Sequence, residues 1–217
     1  MPARLPLFPL DLVLYPGEHI PLHIFEPRYR QLLADCLEGN KRFGITTASP
    51  PVAGAIGSVA QIRRAEPLGD GRSNIIVLGE GRFGVRALLD EGTPYFVASV
   101  EEFSDHPDTV PSPRELEELR QLGVGLRDAL GVLADRAGDE PAWSADPELL
   151  SFEVASLLDV DLDTRLRLLA GRSTRDRVRA MLGLLPGLVT MTQSRAEVHV
   201  RARSNGKGHD GSEIVHE

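Results

Sequence analysis

The segment Gly79-Glu80-Gly81-Arg82-Phe83-Gly84 matches G-x-G-x-x-G and follows the apolar run 75–78, where a dinucleotide-binding turn would set a pyrophosphate against backbone N–H groups. Glu101 stands about twenty residues beyond, where an acidic residue would take a ribose hydroxyl. The downstream spacing argues against that chemistry. Only residues 85–90 are available before Gly92 and Pro94, too few for the crossover helix of a βαβ unit. Glu80 would also put a negative charge against the pyrophosphate. The segment is therefore expected to be a tight turn joining two strands.

Other constellations weaken in the same way. Asp159, Asp161 and Asp163 have the opening spacing of a calcium loop, but Thr164 stands where glycine is needed and Ala170 where a bidentate Glu is needed. They read instead as a connector and a helix cap. His19 and His23 sit in an apolar stretch of strand character, where their rings would lie about 13 Å apart, too far for one zinc ion. There is no G-x-S-x-G elbow and no P-loop, and the only lysines are Lys41 and Lys207. Carboxylates are abundant, so a dispersed carboxylate site stays open, but no pair stands out. The single cysteine, Cys36, excludes an intrachain disulfide and a multi-cysteine zinc site. No catalytic, metal or cofactor residue is assigned, and the chain is not expected to be an enzyme.

Composition is that of an ordinary globular protein, with 41% hydrophobic and 26% charged residues in 217. The net charge of -8 disfavours phosphate backbones and anionic lipid, so neither nucleic acid nor membrane is an expected partner. The arginine group Arg172, Arg175, Arg177 and Arg179 reads as a solvated helical face. No stretch of eighteen apolar residues occurs, and the proline-punctuated start lacks a signal-peptide core, which predicts a cytoplasmic protein.

The elements divide at about residue 103. Before it, short apolar runs at 5–8, 19–25, 42–46, 57–62, 74–78, 83–89 and 95–100 alternate with Gly and Pro turns, which predicts a largely antiparallel β-barrel. One helix is inserted, with Tyr29, Leu32, Leu33, Cys36 and Leu37 as its apolar stripe, Pro27 in its first turn and Gly39 at its end. Residues 104–113 read as a linker. Ser112-Pro113-Arg114-Glu115 then opens a helix with a capping box, Asp146-Pro147 a second, Asp163 a third that stops at Gly171, and Ser173 a fourth that Pro186-Gly187 breaks. The predicted division is a β part at 1–103, a helical bundle at 114–190 and a disordered tail at 191–217, with Val198 and Val200 available as an edge strand.

Three blocks carry a resemblance: Leu5-Pro6-Leu7-Phe8-Pro9-Leu10, then Leu14-Tyr15-Pro16-Gly17, then Pro21-Leu22-His23-Ile24-Phe25-Glu26-Pro27-Arg28-Tyr29. With Gly57-Ser58-Val59-Ala60, Gly81-Arg82-Phe83 and Pro94-Tyr95, they resemble the N-terminal substrate-binding domain of Lon proteases over about residues 5 to 186. The resemblance implies an α+β fold, a PUA-like β-barrel followed by a helical bundle, and the binding of protein or peptide segments as client, without the ATPase and peptidase domains. An adaptor role in proteolysis or quality control follows as the expectation. A protease partner and a homo-oligomer stay open, and RNA binding through the PUA-like part is the alternative.

Within these blocks, Phe25 and Tyr29 are expected to pack under the first helix while Glu26 and Arg28 fix the strand-to-helix corner. The competing reading makes the corner a peptide-binding surface. Trp143, in a loop with Pro141, is expected to be a lid over the bundle, with an exposed anchor as the alternative.

Overall fold

The computed structural model describes residues 3–136 and 142–206, with side chains through Arg203. The fold is α+β, with a mostly antiparallel six-stranded sheet and five helices. The strands are β1 (Ala3–Pro9), β2 (His19–Ile24), β3 (Arg42–Thr46), β4 (Ile56–Pro67), β5 (Ser73–Leu89) and β6 (Phe96–Phe103), with α1 (Pro27–Glu38) between β2 and β3. Strand order is β2-β5-β4-β3-β1-β6, and β6 pairs again with β5, so five strands close into a ring while β2, among the described residues, pairs with β5 alone. Every pairing is antiparallel except β1 with β3. Short connections produce the antiparallel pairs β3–β4, β4–β5 and β5–β6, and α1 provides the return that places β3 parallel to β1.

Six strands stand where seven runs were expected, because 74–78 and 83–89 belong to one strand. The tight turn assigned to Gly79-Glu80-Gly81-Arg82-Phe83-Gly84 does not exist. Those glycines do not adopt the left-handed backbone that Gly17, Gly54, Gly71 and Gly92 adopt, so nothing reverses the chain there. A register shift near Glu80 bends β5 instead, letting its first half pair with β2 and its second half with β6.

Apolar side chains form three clusters. Leu7, Val59, Phe83, Val85 and Val100 fill one side of the ring. Phe8, Phe43, Ile45, Ile62 and Val77 pack with Tyr29, Leu32, Leu33 and Cys36 of α1. Leu37, included in the predicted stripe, is 39% exposed, since it lies beyond the edge of the face that meets the sheet. Cys36 is a core residue: its Sγ donates to the Arg42 carbonyl at 3.4 Å, and burial pushes its thiol up to about 12.

The helices are α2 (Pro113–Leu133), α3 (Pro147–Ser156), α4 (Leu162–Ala170) and α5 (Thr174–Gly206). The capping box at Ser112 and Glu115 is complete, and the Asp146 carboxylate accepts from Leu149 N at 2.9 Å. The third of these helices is capped by Asp161, two residues before the predicted start, and Asp163 lies in its first turn.

The largest departure is α5, which runs through Pro186 to Gly206 where a break and then a disordered tail from 191 were expected. Val178, Met181, Leu185, Val189, Thr192 and Ala196 keep one buried face on both sides of the proline. That face packs along α2, and its burial outweighs the roughly 3 kcal/mol that an interior proline costs. Val198 and Val200 are therefore exposed helix residues and add to no strand. The predicted tail from 207 to 217 lies outside the described residues.

Candidate functional site

The corner between β2 and α1 begins at a turn that only glycine allows. Gly17 has φ +84°, its N–H donates to the Gly79 carbonyl at 2.8 Å, and Gly79 N donates to Glu18 O at 2.9 Å. Tyr15 anchors the turn below: its hydroxyl donates to the Arg165 carbonyl at 3.0 Å and its ring stacks on Phe152 at 5.7 Å. From there β2 runs against β5, with His23 and Asn74 hydrogen bonded at 2.7 Å. His19 and His23 both lie on the strand expected from their apolar surroundings, and both are exposed.

Pro27 at the first helical position stops β2 and starts α1, and the Glu26 carbonyl accepts from Tyr29 N and Arg30 N. The Glu26 side chain does not cap the helix. It pairs with Arg28 at 2.8 Å, and the Arg28 guanidinium lies 4.5 Å above the Tyr29 ring. Tyr29 is buried against Phe8, with ring centroids 4.0 Å apart. Phe25 is not packed under α1 as expected: it is 58% exposed, beside His23 at 6.0 Å. Alternation decides this, because Ile24 takes the core-facing position at the end of β2 and Phe25 is turned out. Four of the expected residues, Phe25, Glu26, Arg28 and Tyr29, thus lie together at the corner that follows β2, a strand whose outer edge pairs with no strand among the described residues.

Trp143 lies elsewhere, half-buried on the helical core, with Arg127 4.4 Å from its ring and an edge close to Gly123. This is the placement of a lid. As the only tryptophan it can be checked directly: acrylamide should quench its fluorescence with a constant well below that of free indole, and quenching equal to free indole would contradict the packing.

The most unusual polar chemistry was not foreseen. Arg82 of β5, 1% exposed, reaches the Asp105 carboxylate at 2.6 Å, Glu148 at 2.8 Å, and the carbonyls of Leu169 at 2.9 Å and Gly171 at 2.6 Å. Arg177 of α5, 3% exposed, meets the other Asp105 oxygen at 2.5 Å and Ser151 Oγ at 2.8 Å. The reading of Arg177 as part of a solvated face is thereby corrected. Phe103 and Phe152 carry the guanidinium faces. Burial raises Asp105, but hydrogen bonds from Arg177 and Thr174 and the charges of Arg177 and Arg82 outweigh it and hold the carboxyl below its ordinary value. Burial lowers Arg177 from its ordinary value, which still leaves a guanidinium cationic at neutral pH. Satisfied on every side, these groups tie the sheet to three helices, and their role is structural.

Among the described residues no group of three or more His, Cys, Asp or Glu is placed to hold a metal ion, and no helix is long and apolar enough to cross a membrane. A closed ring of strands is thus joined to helices by buried charge, and the outer edge of β2 pairs with no strand among the described residues. The chain belongs to the ATP-dependent protease La (LON) substrate-binding domain family, which matches residues 4–186. It is similar to the Lon protease of Flavobacterium johnsoniae, 32% identical over 58% of this chain and 17% of that protein. The Lon protease of Anaeromyxobacter dehalogenans is 25% identical over 85% of this chain and 23% of its own length. The chain thus spans less than a quarter of these relatives. A Lon N-terminal domain protein from Xanthomonas campestris superposes with a TM-score of 0.63 at 27% identity, covering 85% of this chain and 99% of that one. The N-terminal domain of Mycobacterium avium complex Lon protease shares the fold, with a TM-score of 0.60 at 15% identity over 87% of this chain and 98% of that one.

Proposed function

We propose that this chain is a non-catalytic substrate-binding module that holds extended segments of client proteins along the free edge of β2, in the manner of an adaptor for proteolysis or quality control. The observation that carries the reading is that β2 pairs on one side only among the described residues and is followed at once by Phe25, 58% exposed. An unpaired edge offers backbone donors and acceptors to an incoming strand, and an exposed aromatic supplies the apolar anchor. Membership of the substrate-binding family supports the same reading. In it, the five-strand ring is a PUA-like barrel, 1–103 is the β part, 104–113 the linker and α2 to α5 the helical part, which continues past 190 to Gly206, and the protein works in the cytoplasm. The RNA alternative is disfavoured by the net charge of -8.

Glu26 and Arg28 are 40% and 46% exposed, so their pair adds little stability and is available to a client's polar groups. The test is binding of a permanently unfolded, reduced and alkylated model protein. Phe25→Ser should weaken it roughly 10- to 30-fold, as truncation of an aromatic anchor does, with an unchanged melting temperature. Unaltered affinity in that variant would remove the edge of β2 from the binding surface.

A further inference from the structure

A second surface has the makings of a site, on the side of β5 away from β2. Between β5, β6 and the residues that lead into α5 lies an open trough of about 700 Å³. Its floor is Phe103, whose ring has Arg82 4.7 Å away and Arg172 5.4 Å away. The two arginines differ in what satisfies them. Arg82 is buried among carboxylates and carbonyls, whereas Arg172 is exposed, spends its Nε on the Ser104 carbonyl at 3.2 Å and has no acidic partner among the described residues. The acidic groups along the trough are already engaged: Glu101 pairs with Arg86, and Glu80 and Glu102 share Arg42. Arg172 is the cation that this wall leaves without a counter-charge.

The backbone beside it is bare for no internal reason. Gly84 lies on the same face of β5 as Arg82, paired with Glu101 of β6. A Cβ built there would meet only Ile56 Cδ1, at an ordinary 3.8 Å, and one at Gly81 only a Glu102 oxygen at 3.7 Å. Glycine in a strand interior weakens the strand and marks a place where another backbone comes close. At Gly79 that backbone is the chain's own Tyr15, 2.1 Å from the Cβ position. At Gly84 the described residues supply none.

We infer that this trough is a second binding site, which takes an extended peptide segment whose backbone lies over Gly84 and whose carboxylate pairs with Arg172. A planar guanidinium held on an aromatic ring presents its outer N–H groups in a fixed fork, which suits a carboxylate better than a single acceptor. The carboxylate is that of an Asp or Glu side chain or of a chain terminus. The site is separate from the edge of β2 and does not depend on it.

The probe is a library of fluorescein-labelled octapeptides with Asp, Asn or Lys fixed at one central position and the remainder randomised, made with free and with amidated C-termini and read by fluorescence anisotropy. The Asp library should bind about tenfold tighter than the Asn library, the size of a charge-assisted hydrogen bond, and the Lys library weakest. Loss of affinity on amidation instead would assign the carboxylate to the chain terminus. The preference should vanish in Arg172→Gln. Gly84→Val should weaken binding of every library while leaving the melting temperature the same or higher, and Phe25→Ser should leave the preference intact. Equal affinity for the Asp, Asn and amidated libraries, a preference that survives Arg172→Gln, undiminished binding by Gly84→Val, or no binding of any library would each overturn the assignment. A loss of preference confined to Phe25→Ser would mean that the peptides sit on β2.

Discussion

Asp105→Ala is expected to destabilise the chain by about 3–5 kcal/mol, the usual result of removing one partner from a buried ion pair. The Asp105 side chain is 4% exposed and serves Arg82 through one oxygen, Arg177 through the other, and Thr174 at 2.5 Å. Without it two buried guanidinium groups face each other, and only Arg82 retains a carboxylate, that of Glu148, itself 32% exposed. Urea denaturation should show the loss, and the melting temperature should fall by about 6–20 °C for a chain of this size. A change under 1 kcal/mol would mean that the network does not tie sheet to helices. The same residue sets an acid limit. Its folded pKa lies below its ordinary value of 3.8, so its contribution is complete above that value and is lost as pH falls through the folded pKa. Asp105→Asn should flatten this part of the stability curve.

Gly79→Ala should be the next most damaging change considered, while Gly84→Ala, five positions along the same strand, should be neutral or slightly stabilising. A Cβ at Gly79 would stand 2.1 Å from the Tyr15 carbonyl oxygen and 3.2 Å from Leu14 Cγ. The obstacle is backbone, and it cannot withdraw. Tyr15 is held by its N–H to Glu18 Oε2 at 2.9 Å and by its hydroxyl to Arg165, while Gly79 itself bonds Gly17 and Glu18. Forcing the strands apart there costs about 1–3 kcal/mol, as overpacking does, and adds the loss of those hydrogen bonds. At Gly84 the added methyl finds ordinary contact, and replacing glycine lowers the entropy of the unfolded chain. Equal melting temperatures for the two variants would refute the distinction between a glycine required by the fold and one that the fold leaves open.

Helix starts were legible because they are local. Ser112 with Glu115, Asp146 before Pro147, and Pro27 after Glu26 each place a side chain or ring within a few residues of the groups it serves. The apolar stripe of α1 was equally plain, and the three N-terminal blocks carried the family. The period of α5 also continued past Pro186, so its length was present as a signal that the proline obscured. At the corner the order of residues was legible, but not which of them faces solvent: Phe25 is turned out and Tyr29 is buried.

By itself the sequence determined the α+β class, the caps, the inserted helix and the membership of the substrate-binding family, because each is written in residues near one another or in ordered blocks. Tertiary structure alone decided that Gly79 to Gly84 stays extended, that Phe25 is turned out, and that Arg82 and Arg177 are core residues. Arg82 meets Asp105 across 23 positions and Glu148 across 66. A charged residue reads as solvated until the fold brings its partners to it, and no local pattern announces partners that distant.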